Sequence, residues 1–237
     1  MAEAPIPPSF PENLRLVQER IEDARRRGGW THPVRVVVVT KGRSAGEVRR
    51  ALSAGVTEIG ENRVQEARRK WAELGEELAA SGALRHLIGH LQRNKVAAAA
   101  ELFDVIQSVD SLPLASKIAE LARSRGTVQD VLVQVNGGRE PQKHGFAPEA
   151  LAEAVGRLGE LSGVRLCGLM VVAPLEASAG DLREIFGDMR ERFESLAPVL
   201  AAAGTPQLSM GMSEDFELAV EAGSTMVRIG TALFTGA

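Results

Sequence analysis

The chain has 237 residues, 44% of them hydrophobic and 25% charged, with a formal net charge of -3. These values fit a soluble globular chain of α/β-barrel length and give no electrostatic reason to expect nucleic acid or an anionic membrane as a partner. A single cysteine, Cys167, excludes an intramolecular disulfide, and the lack of tyrosine excludes any mechanism that takes a tyrosine acid or base from this chain.

The opening MAEAPIPPSF has neither a basic start nor an apolar core, so no signal peptide is expected. No apolar run reaches the ~18 residues of a membrane span, and a cytoplasmic location follows as the expectation. Ser9 and Glu12 predict a capping box for a first helix, with Leu14, Val17, Ile21 and Ala24 on one face. Residues 1–33 form an extension whose helix should pack on the outside or base of the fold. Val34 to Val39 is a buried strand that ends in Thr40 and Lys41. Ser44 and Glu47 predict a second capping box, followed by Val48, Ala51 and Leu52. VTEIG is the next strand, and Val64, Ala67, Trp71, Leu74 and Leu78 recur at helical spacing after it.

LRHLIG and FDVIQSV follow as strands. Ser111 then opens a helix with Leu114, Ile118 and Leu121. DVLVQV precedes a helical stripe of Leu151, Ala154, Val155, Leu158 and Leu161. VRLCGLMVV precedes the strongest stripe, Leu182, Ile185, Phe186, Met189, Phe193 and Leu196. PQLSM, a short helix at Phe216, Ala219 and Val220, and TMVRIG complete the series. Two basic runs, Arg25 to Arg27 and Arg68, Arg69, Lys70, lie beside glutamates and read as solvated helix faces.

Eight strands alternating with helices predict a single-domain (β/α)₈ TIM-type barrel over residues 1–237. A doubly wound open sheet is the alternative, disfavoured by the absence of a Gly-x-Gly-x-x-Gly turn after the first strand. In a barrel the strand ends share one rim, and polar interruptions fall there: Lys41; Glu61 and Asn62; Gly89; Gln107 and Ser108; Asn136; Met170; Ser209; Arg228 and Gly230.

A lysine at the end of a buried strand is open to two readings. It is a solvated side chain, or a desolvated amine able to form an imine with an aldehyde. Ser209 to Ser213 and the Gly230-Thr231 turn each present small residues and free N–H groups before a helix, an arrangement suited to phosphate. Ordinary capped turns, with Ser213 as an N-cap, are the simpler reading of each. Arg228, in an apolar strand, needs a partner, either a carboxylate such as Glu58 or a ligand acceptor. His86 and His90 stand four apart around Gly89. No carboxylate–histidine cluster has metal-ligand spacing, so no metal is expected.

Together VTK, IGENRVQE, HLIGHLQRNK, QKHGF, GLMVV, LSMGMSEDFE and GSTMVRIGTALF resemble the pyridoxal phosphate homeostasis proteins, barrels similar to the N-terminal domain of alanine racemase. The resemblance implies pyridoxal 5′-phosphate held as an imine on Lys41. Ser209, Gly230 and Thr231 would hold its phosphate, Arg228 would face its pyridine nitrogen, Asn62 would approach its polar edge, and His86 and Met170 would line the pocket. His90 and His144 are the two departures, where the family has proline and a small residue.

The implied role is intracellular pyridoxal phosphate (vitamin B6) homeostasis without catalytic turnover, as a monomer, with enzymes that require the coenzyme as recipients. Racemisation needs an acid/base on each face of the imine, and alanine racemase takes the second from a tyrosine of an additional domain. This chain has no tyrosine and is short for such a domain. A racemase-like enzyme stays as the alternative, and behind it a Schiff-base aldolase.

Overall fold

The computed structural model describes residues 9–140, 142–174, 176–201 and 204–235, so residues 1–8 of the expected extension lie outside it. Eight strands pair in chain order as one closed parallel barrel: β1 (Arg35–Val39), β2 (Glu58–Glu61), β3 (Leu84–Leu87), β4 (Val105–Val109), β5 (Gln129–Asn136), β6 (Val164–Val172), β7 (Gln207–Met212) and β8 (Met226–Ile229). β8 pairs in parallel with β1, which closes the ring and excludes the open sheet.

The helices are α1 (Phe10–Arg27), α2 (Ala45–Ser53), α3 (Val64–Ser81), α4 (Val96–Leu102), α5 (Leu112–Ser124), α6 (Leu151–Gly159), α7 (Ala179–Ser195), α8 (Ala197–Leu200), α9 (Phe216–Glu221) and α10 (Thr231–Phe234). The Ser44/Glu47 capping box forms as expected. The Ser9 side chain makes no cap hydrogen bond, although Ser9 is the N-cap of α1, because Pro11 already opens the first turn without needing an N–H partner. A second capping box, Ser178 with Asp181, starts α7.

Apolar residues segregate into two bodies. The larger lies between the barrel and its helices and takes in the buried faces of α3, α5, α6 and α7. Val105, Leu132 and Met170 form a small separate cluster. Most of the remaining interior is polar.

α1 lies outside the barrel along the β8–β1 seam. Its buried Asn13 donates Nδ2–H to the Leu233 carbonyl of α10, Phe10 packs in a tilted arrangement against Phe234, and Arg20 and Arg27 reach Glu217 and Glu221 of α9. The seam is thus held by side chains as well as by the β1–β8 ladder. Among the described residues no helix is long and apolar enough to cross a membrane.

Candidate functional site

Lys41 follows β1 by two residues, in a turn at the rim, and its side chain is exposed. Of the two readings open to it, its exposure matches the solvated one. Burial belongs instead to the group that holds the turn. Lys70 of α3, expected on a solvated face, is only 4% exposed and directs its three N–H bonds to the Thr40 carbonyl (2.6 Å), Glu61 Oε1 (2.5 Å) and Glu66 Oε1 (3.2 Å). Thr40 Oγ1 also donates to Glu61 Oε1 (2.6 Å), and Glu66 Oε1 accepts from the Gly42 N–H (2.6 Å). The peptide groups on both sides of Lys41 are thereby pinned, one by a cation and one by a carboxylate. A buried ammonium is tolerated only with such full pairing. Burial pushes the Glu61 carboxyl above the usual carboxylate range, against the opposing pull of Lys70 and Thr40.

The strand pairing places a second turn beside this one. Val38 pairs with Ile229, and Gly230 lies against Val39, so the Gly230-Thr231 turn adjoins the chain that leads into Lys41. The N–H groups of Gly230 and Ala232 converge on Ser213 Oγ, at 3.3 and 3.4 Å. Those bonds are long for N–H···O, which is ordinarily near 2.9–3.0 Å, so both donors can engage a stronger acceptor. Ser213 is not an N-cap; Asp215 holds that position at α9, and its Oδ1 accepts from the Met212 N–H at 2.5 Å. Gly211 has φ +95°, and a Cβ there would strike Phe216 and Ala219, so only glycine lets the strand turn so closely into α9.

Ser209 sits elsewhere. Its hydroxyl has no accessible surface and lies inside the barrel, below the turn. It donates to Gln107 Oε1 (2.8 Å) and accepts from Arg228 Nη1 (2.8 Å). β4 and β7 are not neighbours, so the Gln107–Ser209 bond must cross the lumen. Gln107 Nε2 in turn lies 2.9 Å from His86 Nδ1, His86 Nε2 lies 3.2 Å from Glu58 Oε2, and Glu58 Oε1 accepts from Arg35 (2.6 Å). With the His86 proton on Nε2, the hydrogen bonds from Arg228 through Ser209 and Gln107 to His86 all run the same way, and His86 Nε2 then faces Glu58 Oε2 across a contact that lacks hydrogen-bond geometry. His86 and Met170, expected in the lining, are both fully buried.

Among the described residues Arg228 has no direct carboxylate partner; Glu58, one of the two partners considered for it, faces Arg35 and His86. Its guanidinium donates to the Ser209 carbonyl and hydroxyl and to the Val171 carbonyl (2.9 Å). Burial brings its pKa down to about 10, with Asp215 opposing the shift, so it remains a cation at neutral pH. Asn62, half-buried, lies at the rim in the loop after β2. A Cβ on Gly89 would lie 2.3 Å from the Asn62 carbonyl oxygen, so the loops after β2 and β3 touch only because residue 89 is glycine.

The two departures from the family pattern come together. His90 and His144 stack at 3.6 Å, and both rings face Asp110. No sequence spacing signals this cluster, because each member comes from a different loop.

The model of the alanine racemase N-terminal domain family matches residues 12–237. A pyridoxal phosphate homeostasis protein of Aquifex aeolicus is 39% identical over 224 residues, covering 94% of this chain and 96% of its own. One of Pseudomonas aeruginosa is 40% identical, covering 94% of each. This chain belongs to the pyridoxal phosphate homeostasis protein family. Among solved structures, PipY of Synechococcus elongatus with pyridoxal phosphate bound superposes with TM-score 0.78 at 37% identity, covering 92% of this chain and 99% of PipY. Alanine racemase of Clostridium difficile, at 22% identity and TM-score 0.67, shares the fold, and this chain covers 56% of it. The rim turns at Lys41, Ser213 and Gly230 adjoin one another, with the Ser209–Arg228 contact beneath them.

Proposed function

We propose that this protein binds pyridoxal 5′-phosphate reversibly through an imine on Lys41 and serves intracellular pyridoxal phosphate homeostasis without catalytic turnover. The observation that carries the reading is the closure of β8 on β1. It sets the pinned Lys41 turn beside two backbone N–H groups that converge on Ser213 Oγ. The residues fit the coenzyme: one exposed primary amine for an aldehyde, a hydroxyl with convergent amides for a phosphate, and a fixed arginine.

When bound, the coenzyme supplies a reactive aldehyde and a ring that can accept electrons. The chain's own residues do the rest. Lys70 and Glu66 fix the backbone from which the Lys41 amine projects. Ser213, Gly230, Thr231 and Ala232 offer the anion site in place of Ser209, whose hydroxyl is already committed. Arg228, cationic and held by three acceptor contacts, disfavours a second positive charge on a ring nitrogen facing it. That weakens the electron sink, and with no tyrosine in the chain it supports holding over turnover. Asn62 serves the coenzyme's polar edge. The protein is proposed to act in the cytoplasm as a monomer and to supply enzymes that need the coenzyme.

Four measurements test this. Added pyridoxal phosphate should give a visible absorbance band, and borohydride should fix a mass adduct on the peptide containing Lys41. Lys41→Ala should lose the band entirely. Failure to develop the band, or an adduct on another lysine alone, would overturn the binding site. Ser213→Ala should weaken retention about 10- to 100-fold, the cost of one hydrogen bond to a charged group. Exchange of amino-acid α-protons in D₂O at enzyme-like rates would refute the non-catalytic part.

A further inference from the structure

We propose that His90, Asp110 and His144 form a binding site for one divalent transition-metal ion of the zinc, cobalt or nickel type. The three residues come from the loops after β3, β4 and β5, and converge beside an open groove of about 680 Å³ that they help to line. His90 Nδ1 lies 2.9 Å and His144 Nδ1 lies 3.6 Å from the same oxygen, Asp110 Oδ2. All three ligand atoms fall within 4.8 Å of one another. Metal–nitrogen and metal–oxygen bonds of about 2.0–2.2 Å place neighbouring ligand atoms roughly 3–3.5 Å apart. Two of the three separations are already near that value. An imidazole lone pair lies in its ring plane, so the two stacked rings must hinge apart for both Nδ1 atoms to meet one ion, and their exposure leaves room for that.

The donor set selects the class of ion. Two imidazoles and one carboxylate suit borderline ions, whereas magnesium and calcium prefer oxygen throughout. Three protein ligands leave at least one position open to solvent or to a ligand in the groove.

The surroundings fit a cation. Both rings turn Nδ1 toward the Asp110 carboxylate. Asp110 makes no other side-chain hydrogen bond or ion pair among the described residues, so its charge has only these two rings to face it. The neighbouring ammonium of Lys143 is paired with Glu140 at 2.5 Å and does not answer Asp110. A bound ion would tie the loop after β5 to the two loops before it, across the barrel mouth.

The test uses the tag-free full chain, stripped with chelator and titrated with Co²⁺ and then Zn²⁺. The expected result is one equivalent of Co²⁺ with a visible d–d spectrum, displaced by Zn²⁺. Saturating Zn²⁺ should raise the thermal midpoint by about 5 °C. His144→Gln and His90→Gln should each lower Co²⁺ affinity at least about tenfold, and the double variant should abolish uptake. Because both rings are at the surface, the metal-free variants should keep the wild-type melting midpoint. If one does not fold, the other gives the answer. Lys41→Ala should take up the ion as wild type does, which separates this site from chelation by the coenzyme. Three outcomes overturn the proposal: no saturable uptake at ~100 µM, about a hundredfold above a micromolar site; undiminished uptake in the folded double variant; or uptake lost in Lys41→Ala.

Discussion

Glu58 and Glu61 stand three residues apart on one four-residue strand and face opposite sides of the barrel wall. Glu58 turns inward, toward Arg35 and His86. Glu61 turns outward, toward Lys70 of α3 and Thr40. Both are buried, yet their carboxyls move in opposite directions. Burial pushes Glu58 up, but His86 and Arg35 together outweigh it and hold the carboxyl below its usual range. For Glu61 burial wins over Lys70 and Thr40. The contrast shows that burial alone does not set the state of a carboxylate; the geometry of its partners does. Functionally, the inner glutamate anchors the chain that holds Arg228, and the outer one anchors the turn that carries Lys41.

The sharpest break comes from Lys70→Met. It leaves Glu61 buried without its cation, and urea unfolding at pH 7 should show a loss of about 3–5 kcal/mol. The loss should be smaller at pH 5, where Glu61 more readily takes a proton. Uptake of pyridoxal phosphate should slow in the same variant, since the Thr40 carbonyl loses its donor. Glu58→Gln should cost less, about 1–3 kcal/mol, because neutral partners can still satisfy part of the chain.

A pH series sharpens the comparison further. The Glu58 carboxyl is lower in the folded state than in the unfolded, so its stabilisation is complete above about pH 4.3 and is lost as pH falls through the folded value. The Glu61 carboxyl is raised, so the fold favours its protonated form, and its contribution declines as pH rises from about 4.3 through the folded value. The stability difference between wild type and Glu58→Gln should therefore grow with pH, and that for Glu61→Gln should shrink. Equal slopes would remove the distinction between the two faces. The smallest effect belongs to a surface pair. Arg15→Ala, which breaks an exposed pair with Glu19, should leave the urea midpoint unchanged.

Much of this was legible in the residues. β-branched runs and helical stripes marked all eight strands and most helices, because each element buries one face against the next. α4 gave no stripe, since Val96 to Leu102 is mainly alanine and carries little periodicity. The rim turns at Lys41 and Gly230 were visible as polar or small residues at strand ends. What pattern could not supply was depth. Ser209 and Ser213 lie four residues apart in one motif, and only strand register puts the first inside the barrel and the second at its edge. Lys70 looked solvated beside its charged neighbours, because helical phase alone does not reveal a carboxylate on the strand beneath. The Asp110 cluster was invisible because its members meet only when three loops fold onto one rim.

The amide of Asn13 ties the first helix to the short segment Thr231–Phe234, in which the Ala232 N–H looks toward Ser213. Peeling that helix away would therefore tug from behind on the turn proposed above to take the phosphate. Coenzyme occupancy should accordingly register as slower deuterium uptake along residues 10–27, on the far surface of the wall, making the helix a remote gauge of loading.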